Sequence, residues 1–497
     1  MDKNMYMLLL LFVVGPVTSL PLSPSLQFSI SGLKKNVADI KEEEEPEGVF
    51  SKILKANKGL ENILPLQEGD ILVKTGRSAM SCTACKWPKS ADGTVIVPYN
   101  FSAPYNDNQR KLFQSAMDEY ELLTCVRFVP RKEETSFINF GSGNGCHSII
   151  GRSGGKQAVG LDMYGCMYRA TIQHELNHVL GFVHEHMRSD RDSYVTIMYQ
   201  YISPGYAPNF NKANTNNLGL EYDYSSVMHY ERYSFSNTSG QATIVPKPDP
   251  NVPIGQSVGL SALDISKINR FYQCDVCSQL INAKNGILTS ANYPSSYPTN
   301  ANCVWMFRIP SNQVSLTFVA FDVQSSPNCA SDYIKIYDGP TKRHPLLIDR
   351  TCGSGVVPPI ISSGTQLLVE FSSDSSITGT GFKALYSTVN CGGTYYTPGR
   401  NITSPNYPNK YYPNLSCNYT ITAPVGQRVT LTFKDFKLEY LCKFDNVTVW
   451  DGSRKYGEYC DEISIPVITS TTNSLVIYFK TDEDIQFRGF LATYTFI

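Results

Sequence analysis

The apolar and polar positions of this chain fall into two regimes that meet near Cys277. Before that point the pattern mixes periods. Thr94-Val95-Ile96-Val97-Pro98-Tyr99 is rich in β-branched residues and predicts a strand, Asn106 to Thr124 reads as an amphipathic helix, and Ser136 to Phe140 predicts a second strand. After it, short alternating segments separated by Gly, Pro and Asn predict all-β structure. This second half also repeats itself at a period of roughly 110 residues. Leu288 to Pro294 (LTSANYP) returns as Ile402 to Pro408 (ITSPNYP), Cys329 to Gly339 (CASDYIKIYDG) as Cys442 to Gly452 (CKFDNVTVWDG), and Gly381-Phe382 as Gly489-Phe490.

The first residues carry a different signal. Lys3 precedes an apolar run from Met5 to Val14 that ends in Val17-Thr18-Ser19, the pattern of a secretory signal peptide over residues 1–19. The run is short of the ~20 apolar residues a membrane span needs, and no other stretch reaches that length, so no transmembrane anchor is expected. Residues 20–77 hold no cysteine and include a mostly acidic run from Lys41 to Glu47, a composition that folds poorly on its own. At 497 residues the chain is too long for one core. A formal charge of −1 gives no footprint for nucleic acid.

Fourteen cysteines fit an oxidising, extracellular compartment. Cys82 and Cys85 form a C-x-x-C pair outside any βαβ context, which reads as a structural disulfide instead of a redox motif. Asn100, Asn237, Asn401, Asn414, Asn418 and Asn446 each begin an N-x-S/T sequon compatible with glycosylation.

The chemistry concentrates between His174 and Glu185, which read HELNHVLGFVHE. His174 and His178 are four apart and share one helix face, so both imidazoles can reach one ion with Glu175 beside them. Gly181 can adopt the positive φ that ends a helix, which turns the chain and brings in His184 as a third ligand. Three histidines leave one position open for water, the arrangement of a catalytic Zn2+ site. Downstream, Ser226-Val227-Met228-His229-Tyr230 supplies a methionine turn of the kind that accompanies such motifs.

The segment from His174 to Asp192 (HELNHVLGFVHEHMRSDRD) resembles the astacin family of zinc metalloendopeptidases, with Glu185, Arg188, Asp190 and Arg191 in the places of the family's tail. The resemblance spans about residues 78–275 and implies an α+β metzincin-type protease domain. The repeated halves, residues 277–388 and 391–497, look like CUB domains and imply two all-β sandwiches, a layout similar to vertebrate hatching enzymes. Further implications follow from the resemblance. Residues 20–77 become a propeptide that resembles the F-x-G-D pattern at Gln67-Glu68-Gly69-Asp70, with Asp70 as the zinc ligand of the zymogen. Arg77 becomes the site cut by an activating trypsin-like protease, after which a freed ammonium group would partner Glu185. Ser136 to Phe140 becomes the strand edging the cleft, and Tyr194 to Ile197 a further strand. Glu175 is the implied general base and Tyr230 the implied oxyanion donor, while Met228 and Glu185 are structural and His229 is a neighbour, not a ligand. Implied disulfides are Cys125–Cys274, Cys146–Cys166, Cys277–Cys303, Cys329–Cys352, Cys391–Cys417 and Cys442–Cys460. Many CUB domains bind Ca2+; Glu439, Asp445 and Asp482 match those ligands, whereas the first copy has Gln324 beside Asp332 and Asp374. The implied function is hydrolysis of extracellular proteins, egg-envelope glycoproteins in particular; tolloid-like processing of matrix or growth-factor precursors is the alternative.

Overall fold

The structure, a computed structural model, describes residues 47–73 and 85–497 apart from positions 144, 356, 358 and 453. The expected signal peptide, the expected cleavage point at Arg77 and Cys82, with its expected pairing to Cys85, lie outside the described residues.

The first domain is built on a seven-stranded sheet. Along the chain come α1 (Val49–Ala56), β1 (Leu66–Gln67), β2 (Ile71–Leu72), β3 (Val95–Phe101), α2 (Asp107–Leu123), β4 (Val126–Pro130), β5 (Phe137–Gly141), β6 (Cys146–Ser148), β7 (Lys156–Leu161), α3 (Arg169–Leu180), β8 (Val195–Ile197), β9 (Ile244–Pro246) and α4 (Ala262–Tyr272). The spatial order is β1-β2-β6-β7-β5-β3-β4. Helix α2 starts where the sequence signals it: Asn106 accepts from the Gln109 N–H, and the Gln109 side chain returns to the Asn106 N–H. Its buried stripe, Phe113, Ala116, Met117, Tyr120 and Leu123, packs beside α3, and the Tyr120 hydroxyl donates to the Gln173 carbonyl and to Asn177 Oδ1, both at 2.9 Å.

One expectation is corrected here. The strand predicted at Ser136 to Phe140 exists as β5, but it pairs with β7 on one side and β3 on the other, so it is interior. The strand at the cleft is β6, antiparallel to β7 and parallel to β2, with Ile71 opposite Ser148. Three residues with no β-branched run give β6 little local signal, and the disulfide Cys146–Cys166 fixes it instead.

Residues 277–497 form two β-sandwiches, each with its own core, and the remaining disulfides pair as the resemblance implies. The repeated motifs have a common cause. Gly381 and Gly489 sit at φ +84° and +81°, and a Cβ there would lie within 1.9 Å and 1.8 Å of Ser290 Oγ and Ser404 Oγ. Those hydroxyls accept the N–H groups of Phe382 and Phe490. Serine, glycine and phenylalanine therefore recur together because the glycine lets a serine cap the next strand. Among the sequons, Asn237, Asn401, Asn414 and Asn418 are exposed, whereas Asn446 is buried with its Nδ2 donating to the Cys442 carbonyl, a poor glycan acceptor.

The first sandwich is docked on the α+β domain. In Asn302–Arg308, Cys303, Trp305 and Phe307 face the sandwich core while Val304 and Met306 join the core cluster of the first domain, as do Leu280, Tyr337 and Leu368. At the rim Glu119 on α2 is buried between Arg169 (2.5 Å) and Arg308 (2.6 Å). Removing a buried carboxylate strands the cations that faced it. Glu119→Ala is expected to cost about 3 kcal/mol, the lower end for breaking a buried pair because Arg169 keeps some solvent contact. Thermal unfolding of the full chain measures this as a drop in its first transition.

Candidate metal and active site

Helix α3 is buried from Ala170 to Leu180, so His174, Glu175 and His178 project into protein, not water. It stops at Gly181, whose φ of +106° lets its N–H and that of Phe182 return to the His178 and Asn177 carbonyls. The chain reverses and His184 swings in. His174 Nε2 and His184 Nε2 lie 3.3 Å apart, and Asp70 Oδ2 lies 2.9, 3.3 and 3.6 Å from the Nε2 atoms of His174, His184 and His178. All four side chains are fully buried.

The outer nitrogens settle which way the inner ones point. His174 Nδ1 donates to the Val227 carbonyl, His178 Nδ1 to the Phe182 carbonyl and His184 Nδ1 to Glu68 Oε2, each at 2.8 Å. An acceptor at Nδ1 keeps the proton there and turns the Nε2 lone pair inward, the orientation of ligating histidines. His178 Nε2, Asp70 Oδ1 and both Glu175 carboxylate oxygens are buried without a hydrogen-bond partner. Orphaned lone pairs of this kind are costly unless a cation meets them. Three imidazoles and a carboxylate oxygen within 4.8 Å of one another suit tetrahedral Zn2+.

Burial, and next to it the charge of Asp70, push the Glu175 carboxyl well above the ordinary glutamate range. A bound cation would draw it back down. The Tyr230 hydroxyl, also raised by burial and by Glu68 and Asp70, stays a neutral donor and gives its proton to the Glu68 carbonyl at 2.5 Å. Its ring lies between two others, Phe50 of α1 and His186, each with centroids 3.8 Å away. Met228 is buried in the turn below: its carbonyl accepts from the Glu185 N–H, and the preceding Val227 carbonyl holds His174. His229 bonds to the Tyr222 hydroxyl and the Tyr230 carbonyl, apart from the three-histidine centre.

Glu185 is paired before any activation. Its carboxylate already meets Lys267 Nζ at 2.6 Å, Arg188 Nη1 at 3.3 Å and the Asp223 N–H at 2.8 Å in this form, with residues 47–73 in place. Arg188 also pairs with Asp190, as a structural ion pair. Lys267, in α4, is far away in sequence and carries no motif to mark it. The same holds for Phe50 and Asn209, whereas Glu68 and His186 stand inside runs that the sequence singles out, without a role assigned to either. Gln67, in place of the motif's Phe, is exposed, and the aromatic rings beside Gly69 come from Phe50 and Phe235.

In the second sandwich Glu439, Asp445 and Asp482 converge within 4.8 Å, and Glu439 Oε2 is buried without a partner. Burial and the neighbouring Asp445, Asp482 and Asp484 raise the Glu439 carboxyl. The first sandwich repeats the frame, with Asp332 accepting the Asp374 N–H, but Gln324 supplies a neutral amide oxygen in place of the carboxylate.

A buried three-histidine centre with an adjacent glutamate, on an α+β scaffold with a methionine turn, defines a zinc peptidase of the metzincin type. Comparison with known proteins gives the family. The astacin peptidase family matches residues 81–273, and the CUB domain matches residues 277–386 and 391–494. Embryonic protein UVS.2 of Xenopus laevis is 54% identical over 454 residues, covering 90% of this chain and 88% of that protein. Astacin-like metalloendopeptidase of Gallus gallus is 44% identical over 78% of this chain and 98% of its own length. Tolloid-like protein 2 of Mus musculus is 37% identical over 84% of this chain, which spans 42% of that protein. The chain belongs to the astacin family and is a zinc metalloendopeptidase with two CUB domains.

Lys267→Met keeps the aliphatic stem and removes the cation that sits closest to Glu185. The expected loss is about 3 kcal/mol of stability, as for one partner removed from a buried pair. Chemical denaturation of the full chain checks it.

Proposed function

We propose that the chain is a secreted, glycosylated zymogen whose activated form cleaves extracellular proteins, with egg-envelope glycoproteins as the natural substrate. The observation that carries the enzymatic part is the convergence of His174, His178 and His184 with Glu175 buried beside them. His174, His178 and His184 hold the zinc, which when bound polarises the scissile carbonyl and acidifies water. Glu175 accepts a proton from water and delivers it to the leaving amine, its carboxylate held buried beside the three imidazoles. Tyr230 donates to the oxygen of the peptide under attack, as it donates to the Glu68 carbonyl in this form.

Residues 47–73 act as the latency segment. Asp70 occupies the position facing all three imidazoles, and the Ser148 N–H on β6 holds its carbonyl at 3.1 Å. A protease cutting after Arg77 would release it. The envelope assignment is supported by the relative named as an embryonic protein and by the shared protease and CUB layout. Secretion is supported by the N-terminal apolar run, and no helix among the described residues is long and apolar enough to cross a membrane. The CUB pair tethers enzyme to substrate and raises local concentration without new chemistry.

Trypsin-activated chain and its Glu175→Gln variant, assayed on egg envelope, casein and a matrix precursor, test this reading. Chelator-sensitive cleavage is expected to fall by on the order of 10²–10⁴ in Glu175→Gln while zinc content is unchanged. Preference for the matrix precursor over the envelope would replace the hatching assignment with the tolloid-like one. The carboxylates of the second CUB domain make a Ca2+ site of hard oxygen ligands. Saturating Ca2+ is expected to stabilise that domain by about 2.7 kcal/mol at a hundredfold excess over Kd. Calorimetry should show the shift lost in Asp445→Ala.

A further inference from the structure

The latency segment has two holds on the cleft. One is the turn between β1 and β2, where Asp70 meets the imidazoles and the Glu68 N–H donates to Asn209 Oδ1 at 3.2 Å. The other is α1, which fills a slot beside the metal centre. Phe50 lays its ring on Tyr230, its centroid lies 5.4 Å from that of His184, and a further ring, Phe235, closes the slot at 5.9 Å. The next residue, Ser51, is held by Glu231, the neighbour of Tyr230 in the chain: the Glu231 carboxylate accepts the Ser51 N–H at 2.9 Å and the Ser51 hydroxyl. Helix α1 has no side-chain cap of its own, so this carboxylate supplies one from a distant part of the chain.

The backbone that carries Glu231 is fixed without α1. The Glu231 carbonyl accepts the Ser234 N–H at 3.2 Å; the following Arg232 receives the Thr243 N–H on its carbonyl at 2.9 Å and places its own Nη2 on the Val252 carbonyl at 3.2 Å. Gly255, at φ +78°, leaves the room that the Glu231 side chain uses, since a Cβ there would lie 2.2 Å from Glu231 Cγ. Phe235 sits at φ +57°, a left-handed backbone that a bulky residue rarely adopts, held by the Ser203 N–H on its carbonyl at 2.8 Å and by the Tyr206 ring stacked on its own at 4.7 Å. None of these ties involves residues 47–73. Departure of α1 therefore leaves a slot walled by Phe235 with a carboxylate at its edge. Among the described residues both hydrogen bonds of that carboxylate are to Ser51, so it then stands without a donor. A carboxylate beside an aromatic wall suits a side chain with an apolar stem and a cationic head.

We propose that Glu231 is a specificity-determining residue: in the activated enzyme its carboxylate selects substrates with lysine or arginine at the residue whose side chain enters the slot vacated by Phe50 and Ser51. The stem packs on Phe235 and the head pairs with the carboxylate. An acidic side chain at the same place meets like charge and is disfavoured. This rests on the reading of residues 47–73 as a latency segment that leaves.

The test uses trypsin-activated full chain, freed of trypsin, and peptides that share one cleaved bond and carry Lys or Glu at each flanking position in turn, counting chelator-sensitive cleavage alone. At one position Lys is expected to exceed Glu in kcat/KM by about 10-fold, the low end for a bond to a charged group because the slot opens to solvent. In Glu231→Gln that ratio is expected to fall towards unity and in Glu231→Lys to reverse, while the ratios at the other positions hold. Loss of folded enzyme scales every peptide alike and leaves each ratio where it was, so the ratios separate recognition from folding. Mass spectrometry of the cleaving enzyme shows whether residues 47–73 have gone. Their retention overturns the latency reading and this proposal with it. Their loss, with the Lys-to-Glu ratio unchanged by Glu231→Gln at every position, overturns this proposal alone and leaves the latency reading standing.

Discussion

Four buried side chains aim their lone pairs at one point, and the rest of the first domain is arranged to make that tolerable. Three imidazole nitrogens and a carboxylate crowded within 4.8 Å, without solvent, repel one another unless a cation lies among them. Holding them there takes acceptors behind every ring: Val227 from the methionine turn, Phe182 from the turn after Gly181, Glu68 from the turn between β1 and β2. Each acceptor sits on a different part of the chain. The centre is thus a junction through which α3, the methionine turn and the turn between β1 and β2 are tied together.

The same reasoning explains why the buried ion pairs beneath the site are closed sets. Glu185 lies next to His184 in the chain, so an uncompensated charge there would act directly on the metal centre. Lys267 and Arg188 neutralise it, and the Asp223 N–H takes a remaining lone pair. Asp264 in turn accepts from Ser226 Oγ and the Val227 N–H, fixing the turn that holds His174. Helix α4 therefore contributes no ligand yet governs the geometry of two.

How much of this was legible in the sequence differs by the range over which the cause acts. The zinc helix, its glycine stop, α2 with its cap and the doubled β-sandwich are written locally, in residue spacing and turn chemistry, and each appears where the pattern put it. Asp70 was readable because its short run resembles a known latency motif. Strand β6 was not, since a three-residue strand made by a disulfide and by pairing to β7 has no period to detect. Lys267 and Phe50 were invisible for a related reason: each matters only through a partner far away in sequence, and a lysine or phenylalanine on a helix is ordinary until the fold brings it against Glu185 or Tyr230.

One long-range feature was present in the sequence without being a motif. The two sandwiches are copies, yet the strand Asn302–Arg308 reads NCVWMFR while its counterpart Ser416–Thr422 reads SCNYTIT. The second alternates apolar and polar, as a strand with one wet face must. The first has lost the alternation, because Val304 and Met306 face the protease domain while Cys303, Trp305 and Phe307 face the sandwich core. Departure from the repeat thus marks which copy is docked. It also has a mechanical consequence: with Arg308 joined to Glu119 on α2, and α2 bonded through Tyr120 to Asn177 of α3, the first CUB domain is joined by direct contacts to the helix that carries two zinc ligands. The second copy keeps the outer polar positions of this strand exposed or half-buried, as a sandwich face with no domain packed on it must.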